Sequence, residues 1–173
     1  MTKNFLLRLF SSLFLAPSIL LLIYLGNYFF YSLLLILVTI GTYEIFKIKK
    51  FKIQIIILFL FSFFIYSSLK IINLNNGNLM LIFILLLTWT SDVGGYIFGK
   101  SFGGKKINII SPNKTYSGFA GSLILVQLFG FYLESLNVKF FDEIFFNYFF
   151  LLICTFVVIM GDLFFSYFKQ EAC

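Results

Sequence analysis

The sequence has few charged residues. Only 12% of its 173 residues are Asp, Glu, Lys or Arg, whereas 61% are hydrophobic. A soluble domain carries about 25% charged and about 45–50% apolar residues, so this composition excludes a water-soluble globular protein. It also excludes a disordered chain, because disordered segments combine low hydrophobicity with high net charge.

Histidine is absent and cysteine is scarce. The lack of histidine removes the side chain that most often serves as a general base or a metal ligand at neutral pH. Chemistry by this chain therefore depends on Asp, Glu, Lys, Ser or Thr. The two cysteines, Cys154 and Cys173, are too few to form a disulfide framework.

Long runs without any charge dominate the chain. A helix needs ~20 residues to cross a hydrocarbon core, and in lipid a helix satisfies its own backbone hydrogen bonds. We therefore predict an all-α polytopic integral membrane protein that forms a single domain over residues 1–173. Gly26-Asn27 breaks the first run into two. The six predicted spans lie near Leu6–Leu25, Tyr28–Phe46, Ile53–Lys70, Leu79–Gly99, Thr115–Leu133 and Ile144–Phe165.

The positive charges predict the orientation of these spans. Cytoplasmic connections carry an excess of Lys and Arg, and the net charge of +6 also favours anionic lipid. We therefore expect both termini in the cytoplasm and no nucleic-acid partner. Eleven of the 13 positive residues share that side, namely Lys3, Arg8, the four lysines of 47–52, the four of 100–114, and Lys169, leaving Lys70 and Lys139 opposite.

Two aspartates fall inside predicted spans. Asp92 lies in the fourth and Asp162 in the sixth, both toward the predicted cytoplasmic side. A charged side chain at the centre of a transmembrane helix costs at least ~2.5–3.5 kcal/mol, so each is a candidate functional residue. The alternative is that each carboxylate is simply solvated near a helix end.

Small residues recur every fourth position beside Asp92. Ser91, Gly95, Gly99 and Gly103 would form one stripe on a helix that continues through them. Such a stripe indicates close helix packing, and it places Asp92 toward the interior of the bundle.

A second polar face follows Asp162. Ser166 and Lys169 stand four and seven residues after it, on the same side of a helix. A carboxylate, a hydroxyl and an ammonium group together suit Mg²⁺ and phosphate, because Mg²⁺ binds one or two carboxylates and keeps phosphate oxygens or waters as its other ligands. Alternatively, Lys169 only extends toward the membrane surface.

The loop between the fourth and fifth spans is rich in lysine. It contains neither a Walker A sequence nor a dinucleotide-binding fingerprint. We predict Ser111 as a helix N-cap and Pro112 as the first helical residue. Lys114 and Thr115 would then lie in the first turn, where free N–H groups favour an anion. The alternative is a loop that only determines topology.

Two motifs in this order resemble those of the bacterial phosphatidate cytidylyltransferases, also called CDP-diglyceride synthases. The first is Ser-Asp-Val-Gly-Gly-Tyr-Ile-Phe-Gly-Lys at residues 91–100, followed by Ser-Pro-Asn-Lys-Thr at 111–115. The second is Gly-Asp-Leu-Phe-Phe-Ser-Tyr-Phe-Lys at 161–169. The resemblance implies a multi-pass enzyme of the bacterial inner membrane that converts CTP and phosphatidate into CDP-diacylglycerol and pyrophosphate with Mg²⁺.

The resemblance also implies residue roles. Asp162 would bind the metal, and the expected catalytic residues are Asp162, Lys169 and Asp92. Those expected to bind substrate are Lys114, Thr115, Ser111, Lys100 and Ser166. A homodimer is a further expectation.

The chain departs from the family pattern at its C-terminal end. Gln170 stands where the family has Arg, and the family's later His-Gly-Gly element is missing because the chain contains no histidine. We therefore expect a C-terminally truncated member that is not fully active by itself. Three alternatives stay open at this point: a CTP-dependent polyprenol or lipid kinase, a cation-coupled transporter, and an inactive helical fragment.

Overall fold

A computed structural model describes residues 3–107, 111–135 and 148–172. The chain divides into two compact units, Met1–Ile82 and Phe83–Cys173. Helix α4, Gly77–Phe102, begins in the first unit and continues into the second. The sequence predicts a single domain, and this division into compact units leaves that expectation a prediction.

The first unit is built from α1 (Lys3–Leu25), α2 (Asn27–Phe46) and α3 (Phe51–Ile72). Helix α2 packs against both α1 and α3. Gly26 separates α1 from α2 with φ of +67°, a conformation that glycine adopts without steric cost. The predicted break at Gly26-Asn27 is therefore confirmed. Side chains buried in this unit include Ile23, Phe30, Ile45 and Ile53.

Most of the helices have the length and composition of membrane spans. Among the described residues, five helices, α2 to α6, are apolar and long enough to cross a bilayer. In α1 the corresponding apolar stretch is Phe14–Leu25, which is shorter than a span. Many large apolar side chains are exposed; Tyr28, for example, is 88% exposed. Apolar side chains that face outward from long helices are suited to lipid. The predicted all-α polytopic membrane protein is confirmed.

The second unit contains the rest of α4, a small hairpin and two further helices. The hairpin strands are β1 (Lys106–Ile107) and β2 (Ser111–Thr115), which pair antiparallel. Helices α5 (Tyr116–Ser135) and α6 (Tyr148–Ala172) pack against each other, and β2 contacts both. Their interface buries Val126, Leu151 and Thr155.

Helices α4 and α5 approach each other through small residues. The Ser122 hydroxyl donates a hydrogen bond to the Ser91 carbonyl oxygen at 2.6 Å. An added Cβ on Gly95 would lie 2.9 Å from the Ser122 Oγ atom, and one on Gly99 would lie 3.1 Å from Thr115 Oγ1. The predicted small-residue packing face is therefore confirmed for these α4 positions.

Gly103 does not extend that face. Helix α4 ends at Phe102, and Gly103 takes φ of +59° while its N–H donates to the Gly99 carbonyl at 3.1 Å. A left-handed glycine just after the last helical residue is a common helix ending. The prediction that the stripe continues through Gly103 is wrong, because this glycine ends the helix.

The predicted start of the fifth helix is also wrong. Ser111 and Pro112 lie in strand β2, where they were expected to begin a helix, and α5 starts at Tyr116. Pairing with β1 uses the backbone of this segment, and Pro112 is compatible with an edge strand because it has no N–H to donate. Lys114 and Thr115 therefore precede the helix and are not part of its first turn.

Candidate functional site

A cavity of about 450 Å³ lies in the second unit. It is formed by the C-terminal half of α4, the hairpin, the start of α5 and the middle of α6. This volume is within the usual range for small-molecule sites, about 300–1,000 Å³. Its charged and hydroxyl side chains include Asp92, Lys100, Lys114, Thr115 and Asp162.

An ion pair joins β2 to α6 inside this cavity. The Lys114 ammonium group contacts and donates a hydrogen bond to the Asp162 carboxylate. The Lys114 side chain is 30% exposed and that of Asp162 is 53% exposed. Solvent therefore reaches both groups, which leaves the pair accessible to an incoming ligand.

Asp92 gives Lys114 a second carboxylate neighbour. Burial lowers the pKa of Lys114 below its ordinary value, because desolvation disfavours the ammonium form, and attraction to the Asp92 carboxylate acts in the opposite direction. Attraction to a carboxylate thus offsets part of the effect that burial has on the pKa of this lysine. Asp92 and Asp162, 70 positions apart in the sequence, thus line one cavity and are both charged neighbours of Lys114.

Thr115 caps helix α5. Its Oγ1 atom accepts a hydrogen bond from the Gly118 N–H at 3.2 Å and lies 2.9 Å from the Ser117 Oγ atom. An N-cap side chain that accepts from the third helical N–H satisfies one of the unpaired donors at a helix start. The Ser117 hydroxyl also donates to the Gly103 carbonyl. These contacts connect the end of α4 to the start of α5 and position the adjacent Lys114.

Two further features favour an anion at this end of the unit. Lys100 lines the cavity, and its ammonium group lies 3.4 Å from the Tyr96 hydroxyl and 5.6 Å from the centre of the Tyr96 ring. The first turn of α5, at Tyr116 to Gly118, supplies the positive end of a helix dipole beside Lys114. Within this turn the Gly118 N–H donates to Thr115 Oγ1 and the Tyr116 N–H donates to the Lys105 carbonyl oxygen. Phosphate groups would therefore find the ammonium groups and the positive end of the helix dipole here.

The structure brings together five of the eight predicted site residues: Asp92, Lys100, Lys114, Thr115 and Asp162. Ser166 is on the same helix as Asp162, but among the described residues it is outside the cavity lining. The side chains of Ser111 and Lys169 lie outside the described part of the structure, so their roles stay predictions.

Part of the cavity lining is an apolar wall that was not predicted from the sequence. It consists of Phe119 from α5 and Val158, Ile159 and Leu163 from α6. A signal was available, because Phe119 follows Thr115 by four residues and Val158 precedes Asp162 by four, which places each pair on one helix face. In a chain this apolar, that spacing does not distinguish a cavity wall from a lipid-facing surface.

The carboxylates that line the cavity are candidate ligands for a metal ion. Within residues 3–107, 111–135 and 148–172, no group of three or more His, Cys, Asp or Glu side chains is arranged to hold a metal. Mg²⁺ requires fewer protein ligands than that, since it often binds one or two carboxylates and completes its shell with waters and substrate phosphates. Asp92 and Asp162, which both line the cavity, are side chains of the kind that such an ion binds.

Comparison with known proteins decides the family. A model of the cytidylyltransferase family matches residues 47–172. The chain belongs to the cytidylyltransferase family. The matched range contains every residue that lines the cavity.

Individual relatives agree with this assignment. A phosphatidate cytidylyltransferase of Rickettsia bellii is 30% identical over 178 residues, covering 98% of this chain and 77% of the relative. Proteins with the same name in Encephalitozoon cuniculi and Staphylococcus epidermidis are 37% and 36% identical over 43% and 53% of this chain. The chain spans 19% and 35% of the lengths of these last two relatives. No solved structure is significantly similar to it.

Proposed function

We propose that this protein transfers a cytidylyl group from CTP to phosphatidate. In this reaction a phosphate oxygen of phosphatidate attacks the α-phosphorus of CTP. The bond between that phosphorus and the bridging oxygen to the β-phosphate breaks, which yields CDP-diacylglycerol and pyrophosphate. The observation that carries the proposal is the cavity that gathers Asp92, Lys114 and Asp162 within the region matched by the family.

The cavity residues have different proposed roles. Lys100, Lys114 and the first turn of α5 would bind the triphosphate, since ammonium groups and helix N-termini attract phosphate. Asp162 and Asp92 would hold Mg²⁺, which when bound neutralises phosphate charge. Catalysis of phosphoryl transfer depends largely on positioning and charge stabilisation, which these residues can supply. Ser166, Ser111 and Lys169 stay predicted members of the site.

The apolar wall supports a lipid as the second substrate. Phe119, Val158, Ile159 and Leu163 line the same cavity as the charged residues, so the cavity offers both charged and apolar side chains. Phosphatidate likewise has a charged phosphate next to hydrocarbon chains. The phosphate would therefore meet the lysines while the hydrocarbon lies along the wall.

The family and the helices make this a multi-pass membrane protein, and we propose the bacterial inner membrane as its location. Lys100 and Lys114 line the cavity, and Lys105 and Lys106 lie between them in the sequence. The excess of positive charge in cytoplasmic loops predicts that this segment faces the cytoplasm, where CTP is found. A homodimer stays a prediction.

The fate of the CTP phosphates tests the proposal. The purified protein is incubated with phosphatidate, Mg²⁺ and CTP labelled on either the α- or the γ-phosphate. We expect the α-label in the lipid product and one pyrophosphate released per lipid. A lipid kinase would instead put the γ-label into lipid and release CDP, and that result would refute the proposal. Family membership favours neither the kinase nor the transporter alternative.

A further inference from the structure

Lys114 is paired with Asp162, the carboxylate that would bind the metal in the proposed reaction. Its ammonium group is paired with Asp162, and Asp92 is its second charged neighbour. Asp162 therefore has the Lys114 ammonium group as its cation partner in this structure.

We propose that Lys114 pairs with Asp162 at the position of the divalent cation and moves to the triphosphate when the metal binds. The inference rests on the proposed function. Lys114 and the metal compete for the same carboxylate, so one ion pair is exchanged for two: Asp162 with the metal and Lys114 with phosphate.

Charge explains why the two cations exclude each other. With Lys114 in place, the two carboxylates and one ammonium group carry a net charge of −1; without it the charge is −2. Attraction of a divalent ion increases with that negative charge. The exposure of both partners, 30% and 53%, means that water already screens their attraction. Mg²⁺ bound to CTP would therefore displace the Lys114 ammonium group from Asp162. A phosphate of the same CTP would then bind that ammonium group.

This exchange would couple metal binding to nucleotide binding. A lysine that is still paired with Asp162 is unavailable to the triphosphate, and a metal cannot reach Asp162 until the lysine leaves. The site would then accept the metal and the nucleotide together more readily than it accepts either one alone.

The test measures Mn²⁺ binding to the purified full chain by electron paramagnetic resonance, without nucleotide or lipid. Lys114→Met removes the competing charge while keeping a side chain of similar length. We expect it to bind Mn²⁺ about tenfold more tightly than the unaltered protein. Weaker or unchanged affinity, or no detectable Mn²⁺ binding in either protein, would overturn the inference.

Two further variants separate competition from a general charge effect. Lys100→Met removes a positive charge from the same cavity, but its ammonium group contacts Tyr96, so we expect its Mn²⁺ affinity to change by less than about twofold. Adding Asp162→Asn to Lys114→Met should abolish the gain, because the carboxylate for which the two cations compete is then gone. An equal gain in Lys100→Met would contradict the competition.

A measurement on the unaltered protein covers the case in which a variant fails to fold. Lys114 should react faster with an amine-acylating reagent after Mn²⁺ is added, because its ammonium group has left Asp162. The exposed Lys105 and Lys106 provide internal references in the same peptide map. Unchanged relative labelling of Lys114 at saturating Mn²⁺ would refute the exchange. Neither measurement involves turnover, so the proposed reaction can fail independently.

Discussion

Asp162→Asn is expected to lower the rate of CDP-lipid formation by at least about 100-fold. Asparagine has almost the same size as aspartate, so packing of α6 is preserved while the negative charge is lost. The charge is needed because Asp162 is the proposed metal ligand and the partner of Lys114. The initial rate of α-label incorporation, measured across a range of Mg²⁺ concentrations, checks this expectation.

Glu134→Gln is the matched control for that variant. Glu134 is another exposed carboxylate of the second unit, and it accepts a hydrogen bond from the Tyr148 hydroxyl at 2.6 Å. Within the described residues it is outside the cavity lining. We expect its rate to stay within about twofold of the unaltered protein, as is usual for a surface substitution far from a site. Full activity of Asp162→Asn would remove Asp162 from the metal site.

Gly94→Ala is expected to destabilise the second unit and to reduce its activity. An added Cβ would lie 2.7 Å from the Gly121 carbonyl oxygen and 3.0 Å from the Ser122 Cα atom, which are backbone atoms of α5. Overpacking of this kind costs about 1–3 kcal/mol, because the helices must separate. Separation of α4 from α5 would also move Asp92 away from Lys114. Thermal unfolding in detergent should show a midpoint roughly 2–10 °C lower.

Gly161→Ala makes the same chemical change in α6. There an added Cβ would meet no heavy atom of the described residues within 4 Å. Alanine is favoured over glycine in a helix by about 1 kcal/mol, so we expect an unchanged or slightly higher unfolding midpoint. If both alanine variants are equally stable, the close α4–α5 contact does not stabilise the unit.

The helices were predictable because charge-free runs of sufficient length have few alternatives in a membrane. The α1–α2 break was predictable for a local reason, since Gly26 supplies the positive φ that the chain needs there. The hairpin was not predictable in the same way. Ser111-Pro112 fits a helix start and an edge strand equally well, and pairing with β1, a contact outside the segment, decides between them.

The candidate site was also only partly predictable from the sequence. Asp92 and Asp162 were identified because carboxylates within apolar spans are costly. Lys114 was predicted to bind substrate, but its ion pair with Asp162 was not predicted, since the two residues are 48 positions apart and no local spacing connects them. Thr115 was assigned to substrate, but the structure shows its hydroxyl engaged as the cap of α5. Its role in positioning Lys114 became visible only with the start of that helix.

Labelling with a photoreactive azido-CTP shows whether the cavity of the second unit binds CTP. After irradiation and digestion of the full chain, mass spectrometry identifies the labelled peptides. We expect label in the segments that line the cavity, within residues 91–122 and 158–163, and loss of that label when excess CTP is present. Label confined to Met1–Ile82, or label that CTP does not displace, would contradict CTP binding in this cavity.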